Sequence, residues 1–184
     1  LPSIASDSDP AWSPDGKTVV FMSDRDGDIE IYTANADGTH LQRLTHSPGR
    51  DAHPAFSRDG KKIAFQSPRG DRQPQVYLMN ADGSNQTRLT DMAGFSGVPD
   101  WSPDDHQIIF QANLNPTLDP AHWQIFVMNS DGSNVRQITH DTFNDQVPKW
   151  SPDGKRILFF SDKTGRNQIY TMRPDGSDWQ PLFT

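Results

Sequence analysis

The chain has 184 residues, 33% of them apolar and 22% charged, enough to bury a core in one large or two small globular domains. Its formal charge of -7 argues against a nucleic-acid partner, which clustered Lys and Arg would have to engage, and the absence of cysteine excludes disulfides, thiolate metal sites and a cysteine nucleophile. No apolar run approaches the ~18 residues of a membrane span, and fifteen prolines with thirteen glycines point to short strands and tight turns, an all-β chain.

The first element opens at Pro10-Ala-Trp-Ser-Pro-Asp-Gly-Lys17, where proline and glycine sit as a hairpin turn requires. Thr18–Ser23 follows as a short run rich in β-branched and aromatic residues, then Glu30–Thr33, then an Asp37-Gly38 turn and Leu41–Leu44. These are four consecutive strands, A to D, joined as hairpins. The same order returns from Pro54, from Pro99 and from Pro148, with blades expected near 6–45, 51–90, 96–139 and 145–184. The aromatic anchors Trp12, Phe56, Trp101 and Trp150 are 44, 45 and 49 residues apart, the period of a four-stranded propeller blade. Two positions depart from the pattern: Arg58 replaces the turn proline in the second copy and Asp105 the glycine in the third, and neither should break its blade.

The repeated pattern W-S-P-D-G-K, I-A-F, I-Y, D-G-S and L-T resembles the TolB-like (PD40, WD40-related) propeller repeats over nearly the entire chain. The resemblance implies four blades packed face to face around a channel with strand A innermost, an extracytoplasmic or periplasmic location, and a non-enzymatic scaffold that binds a protein or peptide. It extends more distantly to the propellers of prolyl-oligopeptidase-type peptidases. An accessory gating domain of such a peptidase therefore stands as an alternative, as does a channel-metal propeller acting on a small ligand or carbohydrate.

Leu1 lies nine residues before Pro10, while Leu44, Leu89 and Ile138 lie ten before the next motif proline, so the repeats are cut in phase. Four blades with two open faces predict that two copies join head to tail as a homodimer forming an eight-bladed ring. A fragment of a longer propeller and a closed four-bladed monomer are the alternatives.

Asp7, Asp51 and Asp145 each precede the motif proline by three residues, with Ser96 in that place in the third copy. Carboxylates converging on a channel can hold Ca²⁺, and equally they can satisfy backbone amides where strand D passes to strand A. His53, beside Pro54, is a channel candidate, whereas His46 and His140 occupy equivalent loop positions and are expected to be polar loop residues. The third copy has the longest B–C loop, Asn113 to Trp123. Trp123 with Phe95 and Phe143, and Arg25, Arg50 and Arg69 on other loops, suggest an aromatic and arginine surface for anchoring a peptide. The run Gly94-Phe-Ser-Gly97 is not a nucleophile elbow, and no phosphate-binding loop or dinucleotide fingerprint is present.

Overall fold

The computed structural model describes residues 5–70, 73–114 and 122–183, and every regular element among them is a β-strand. The first sheet is β1 (Asp7–Trp12), β2 (Thr18–Ser23), β3 (Glu30–Asn35) and β4 (Gln42–Arg43). The second is β5 (Ala52–Phe56), β6 (Lys62–Ser67), β7 (Gln75–Asn80) and β8 (Thr87–Arg88). The third is β9 (Ser96–Trp101), β10 (Gln107–Ala112), β11 (Gln124–Asn129) and β12 (Arg136–Gln137). The fourth is β13 (Asp145–Trp150), β14 (Ile157–Ser161), β15 (Gln168–Met172) and β16 (Gln180–Pro181). In each sheet the strands lie side by side in chain order and pair antiparallel. Leu1, Thr184 and 115–121 of the long loop lie outside the described residues.

Alternation along the second strand of each blade decides how the blades stack. Phe65, Phe110 and Phe159 face the preceding blade, while Val20, Ala64 and Ile109 face the following one, which gives three apolar layers between successive sheets. Each such phenylalanine lies 5.7 to 6.0 Å from the aromatic ring opposite it on the third strand. The motif aromatics Phe56, Trp101 and Trp150 are buried in these layers, and the Trp101 indole donates to the Ala55 carbonyl of the second blade at 3.1 Å. The first strands are innermost: β5 packs against β1 and β9, and β9 against β13.

The turns explain two fixed features of the repeat. In the A–B turn the Asp15 carboxylate accepts from Ser13 Oγ and Lys17 N, and the Ser13 hydroxyl in turn accepts from Thr18 N. In the C–D turn Asp37, Asp82, Asp131 and Asp175 each accept from the backbone N and the hydroxyl of the Thr or Ser two residues on. The glycine between them has positive φ, and it also sits against the preceding blade: a Cβ on Gly176 would lie 2.2 Å from the Ile138 carbonyl oxygen. Gly38, in the first described blade, would meet nothing within 4 Å.

The two departures from the repeat meet in space. Arg58 restores an N–H that proline lacks, and Asp105 supplies a carboxylate where glycine has none. Asp105 Oδ1 accepts from Arg58 N at 2.6 Å and its Oδ2 from Asp59 N at 2.8 Å, so one blade's turn clamps its neighbour's.

Candidate functional site

A bulge in the innermost strand of every blade builds the axial site. Pairing with the second strand slips between Ser8 and Ala11, Ala52 and Ala55, Gly97 and Asp100, and Gln146 and Lys149. Inside each slip the residue before the motif proline has left-handed backbone: Asp9, His53, Val98 and Val147, with φ from 50° to 54°. A β-branched residue in that region is strained, and four equivalent cases show that the fold imposes it. All four line one cleft of about 220 Å³ together with Pro10, Pro54, Pro99 and Lys149.

The cleft is half polar and half apolar. His53 Nδ1 lies 2.5 Å from Asp9 Oδ2 across the first and second blades, while Val98 and Val147 form the opposite wall. Burial pulls the His53 imidazole below its ordinary value. The Asp9 charge opposes that shift, while Arg50 and Lys149 reinforce it. Lys149 also reaches Asp100 Oδ1 at 3.5 Å.

Loops at the start of the innermost strands form the mouth, and buried polar residues on the third strands hold them. Thr45, Thr90 and Thr139 accept from the backbone N of Ile31, Val76 and Ile125, each at 2.9 Å. The Gln75 amide donates to the Met92 and Gly94 carbonyls, and the Gln124 amide to the Phe143 carbonyl at 2.9 Å. Phe95 and Trp123 thereby meet edge to face, with centroids 4.8 Å apart.

The acidic positions do something other than converge. Asp7 Oδ1 accepts from Arg25 at 2.8 Å and Asp51 Oδ2 from Arg69 at 2.7 Å, each pair closed within its own blade. Asp145 is fully buried in a third place, with the Ser161 and Thr139 hydroxyls beside it and no arginine. The structure thus separates the three expected calcium ligands, and among the described residues no group of three His, Asp or Glu side chains could hold a metal. The reason is the bulge, which turns the residue before proline into the cleft and leaves the one two positions earlier beside its own B–C loop.

Arg25 and Arg69 are correspondingly internal. Each guanidinium donates to a serine hydroxyl, Ser23 or Ser67, and stacks over a Phe–Tyr pair at 4.9 to 5.4 Å. Arg50 is exposed at the mouth. Of the expected partner-binding residues, Arg50, His53, Phe95, Trp123 and Phe143 lie on mouth loops or at the cleft, and Arg25, Arg69 and Asp51 brace the loops. Asp9, Val98 and Val147 are the cleft residues that the sequence analysis did not single out. Their signal is position alone, one residue before each motif proline.

Four four-stranded antiparallel sheets stacked around a cleft shared by their innermost strands define a β-propeller, a class whose sites lie in its loops and channel. The PD40 TolB beta propeller domain matches residues 4–119 and 91–184, and the chain belongs to that family. It is similar to a TolB protein from Agrobacterium tumefaciens, with 27% identity and a TM-score of 0.85, covering 95% of this chain and 64% of that one. TolB from Acinetobacter baumannii gives 23% identity and a TM-score of 0.84 over 99% of this chain and 44% of that one. A segment of 42 residues, 22% of the chain, is 45% identical to an uncharacterized peptidase of Bacillus subtilis, YuxL, and covers 6% of it. The chain therefore spans less than two thirds of each of these relatives.

Proposed function

We propose that this chain is a non-enzymatic recognition module that binds an extended protein segment at the channel mouth, in an extracytoplasmic setting such as the periplasm. The observation that supports it most is the cleft lined by one residue in left-handed backbone from each of the four blades, with the Phe95–Trp123 pair held over the neighbouring loops. Apolar walls beside a single polar pair suit an apolar side chain flanked by a hydrogen-bonding backbone. The test uses peptides selected from a random display library on the intact chain. Val98→Asp and Trp123→Ala should each weaken the selected peptides at least about tenfold, the loss of one well-packed anchor. Peptides indifferent to both substitutions would overturn the reading.

Two open blade faces support a second part of the proposal. Trp12 is 62% exposed although its equivalents Phe56, Trp101 and Trp150 are buried, and Leu158 and Phe160 are 37% and 41% exposed where Val20 and Met22 are buried. These faces are the two halves of the layer that joins successive blades, so in the isolated chain a second copy covers both, head to tail, in an eight-bladed ring. A monomer mass by light scattering for the isolated chain contradicts this. The segment like YuxL keeps an accessory role beside a peptidase as the rival reading, and retention of peptide binding by the isolated chain argues against that role.

A further inference from the structure

The B–C loops of the first, second and fourth blades begin alike, with Ser23-Asp24-Arg25, Ser67-Pro68-Arg69 and Ser161-Asp162-Lys163. The backbone is also alike: the N–H of Arg25, Arg69 and Lys163 points to its serine hydroxyl at 3.3, 3.3 and 3.4 Å. In the first two blades the arginine then fills one niche, where it meets the serine hydroxyl, the aspartate of the innermost strand and the face of a Phe–Tyr pair. In the third blade both partners change together, to Leu114 and Ser96, and the Ser96 hydroxyl joins Thr90 and Gln75 instead.

The fourth blade keeps the acid and loses the arginine. Lys163 Nζ lies over the Trp179 ring, 5.1 Å from its centroid. Trp179 has taken the place over Phe159 and Tyr170 that the guanidinium holds elsewhere, with centroids 4.7 and 6.1 Å away. Asp145 is left at 0% exposure with the Ser161 and Thr139 hydroxyls beside its carboxyl and no arginine. A buried carboxylate without a counter-charge is expensive, whereas its protonated form is not.

We propose that Lys163 has two alternative seats, the Trp179 ring and the Asp145 carboxylate, and that the protonation state of Asp145 selects between them. Lys163 holds the chain position from which Arg25 and Arg69 reach the equivalent carboxylates. Asp141 on the D–A loop and Asp162 on the B–C loop are both negative towards it. The Asp141 carboxylate is engaged by Phe143 N, and Asp162 by Asn144 N and Nδ2, with His122 beside Asp162. The Ser161 and Thr139 hydroxyls bond to the Asp145 carboxyl and favour its charged form, Thr139 also accepting from Ile125 N on β11, while the Gln124 amide turns to the Trp123 and Phe143 carbonyls. Burial is the largest cause of an upward shift of Asp145 to about 7, with Asp141 and Asp162 adding to it. In acid the carboxyl carries its proton and Lys163 rests on the indole. Above neutrality the buried charge draws the ammonium off Trp179, and the B–C loop at the mouth follows.

Tryptophan fluorescence of the intact chain, followed from about pH 5 to about pH 8, tests this. The chain should show one transition centred near neutrality, lost in Trp179→Phe because the reporter is gone. Asp145→Asn should lose it and keep the acid-side signal throughout. Lys163→Arg should lose it and keep the alkaline-side signal, since an always-charged guanidinium reaches the carboxylate as in the first two blades. Circular dichroism at both ends of the range establishes that each variant is folded. A flat profile in the unsubstituted chain, or a transition that survives in Asp145→Asn or Lys163→Arg, overturns the proposal.

Discussion

Arg58 and Asp105 are 47 positions apart in sequence and one hydrogen bond apart in space. Read singly they are two tolerated departures from a turn; together they are one exchange, in which a lost proline provides the donor and a lost glycine the acceptor. Their coupling was illegible because nothing in the repeat says which turn lies beside which. Asp105→Gly should cost about 1 kcal/mol in urea unfolding, two exposed backbone hydrogen bonds offset by relief of its left-handed backbone. Arg58→Pro should cost a similar amount, and the double substitution, which restores the repeat, should cost less than the sum. Strict additivity would contradict the coupling. Asp145 works at the same scale through pH. Its carboxyl titrates near 7 when folded and near 3.8 otherwise, so between those values the folded state holds the proton that the unfolded state has released. Unfolding free energy therefore falls as pH rises across that window and levels above it. Asp59 has the opposite sign: its backbone and hydroxyl donors hold it at about 2, so its contribution is present above 3.8 and is lost as pH falls towards 2. Asp145→Asn should flatten the urea midpoint between about pH 4 and 7 and leave the acid limb unchanged.

At the scale of elements, the strands and turns were legible because each is carried by local chemistry. A Ser-Pro-Asp-Gly run closes one hairpin and an Asp-Gly run the other, and the aromatic and β-branched runs between them alternate faces. Two element-level features were not legible. One is the bulge, which repeats at Asp9, His53, Val98 and Val147 and redirects which strand-A residue enters the cleft. The acids at Asp7, Asp51 and Asp145 were expected to converge at a shared mouth because they are equivalent by spacing, yet equivalence fixes depth along a strand and not direction. The other is the second duty of the C–D glycines. Gly38 and Gly176 have nearly the same φ, 82° and 87°, but only Gly176 is pressed on a neighbouring carbonyl. Gly38→Ala should cost about 1 kcal/mol for its backbone alone, and Gly176→Ala should cost at least about 2 kcal/mol more, because the Ile138 backbone must move. Equal losses in thermal unfolding would mean that the blade junction yields freely.

For the whole molecule, the repeat period and the motif aromatics carried the architecture, since a layer of blades is the arrangement that buries both faces of each sheet. Function was less legible, because the cleft is built by residues that the motif does not include and that differ from blade to blade. The same variability suits the proposed recognition role. The open faces at Trp12 and at Leu158 with Phe160 belong to this scale. Phe160→Asp should abolish self-association of the isolated chain and remove the concentration dependence of its unfolding midpoint, while circular dichroism stays that of the folded chain. A dimer that persists would place its interface elsewhere. The central claim is that a peptide is held at the axial cleft and its mouth. Hydrogen exchange of the intact chain with and without a selected peptide measures this most directly. New protection is expected in residues 7–10, 51–54, 95–99 and 145–148, whereas protection confined to the A–B turns on the opposite rim would contradict binding at the cleft.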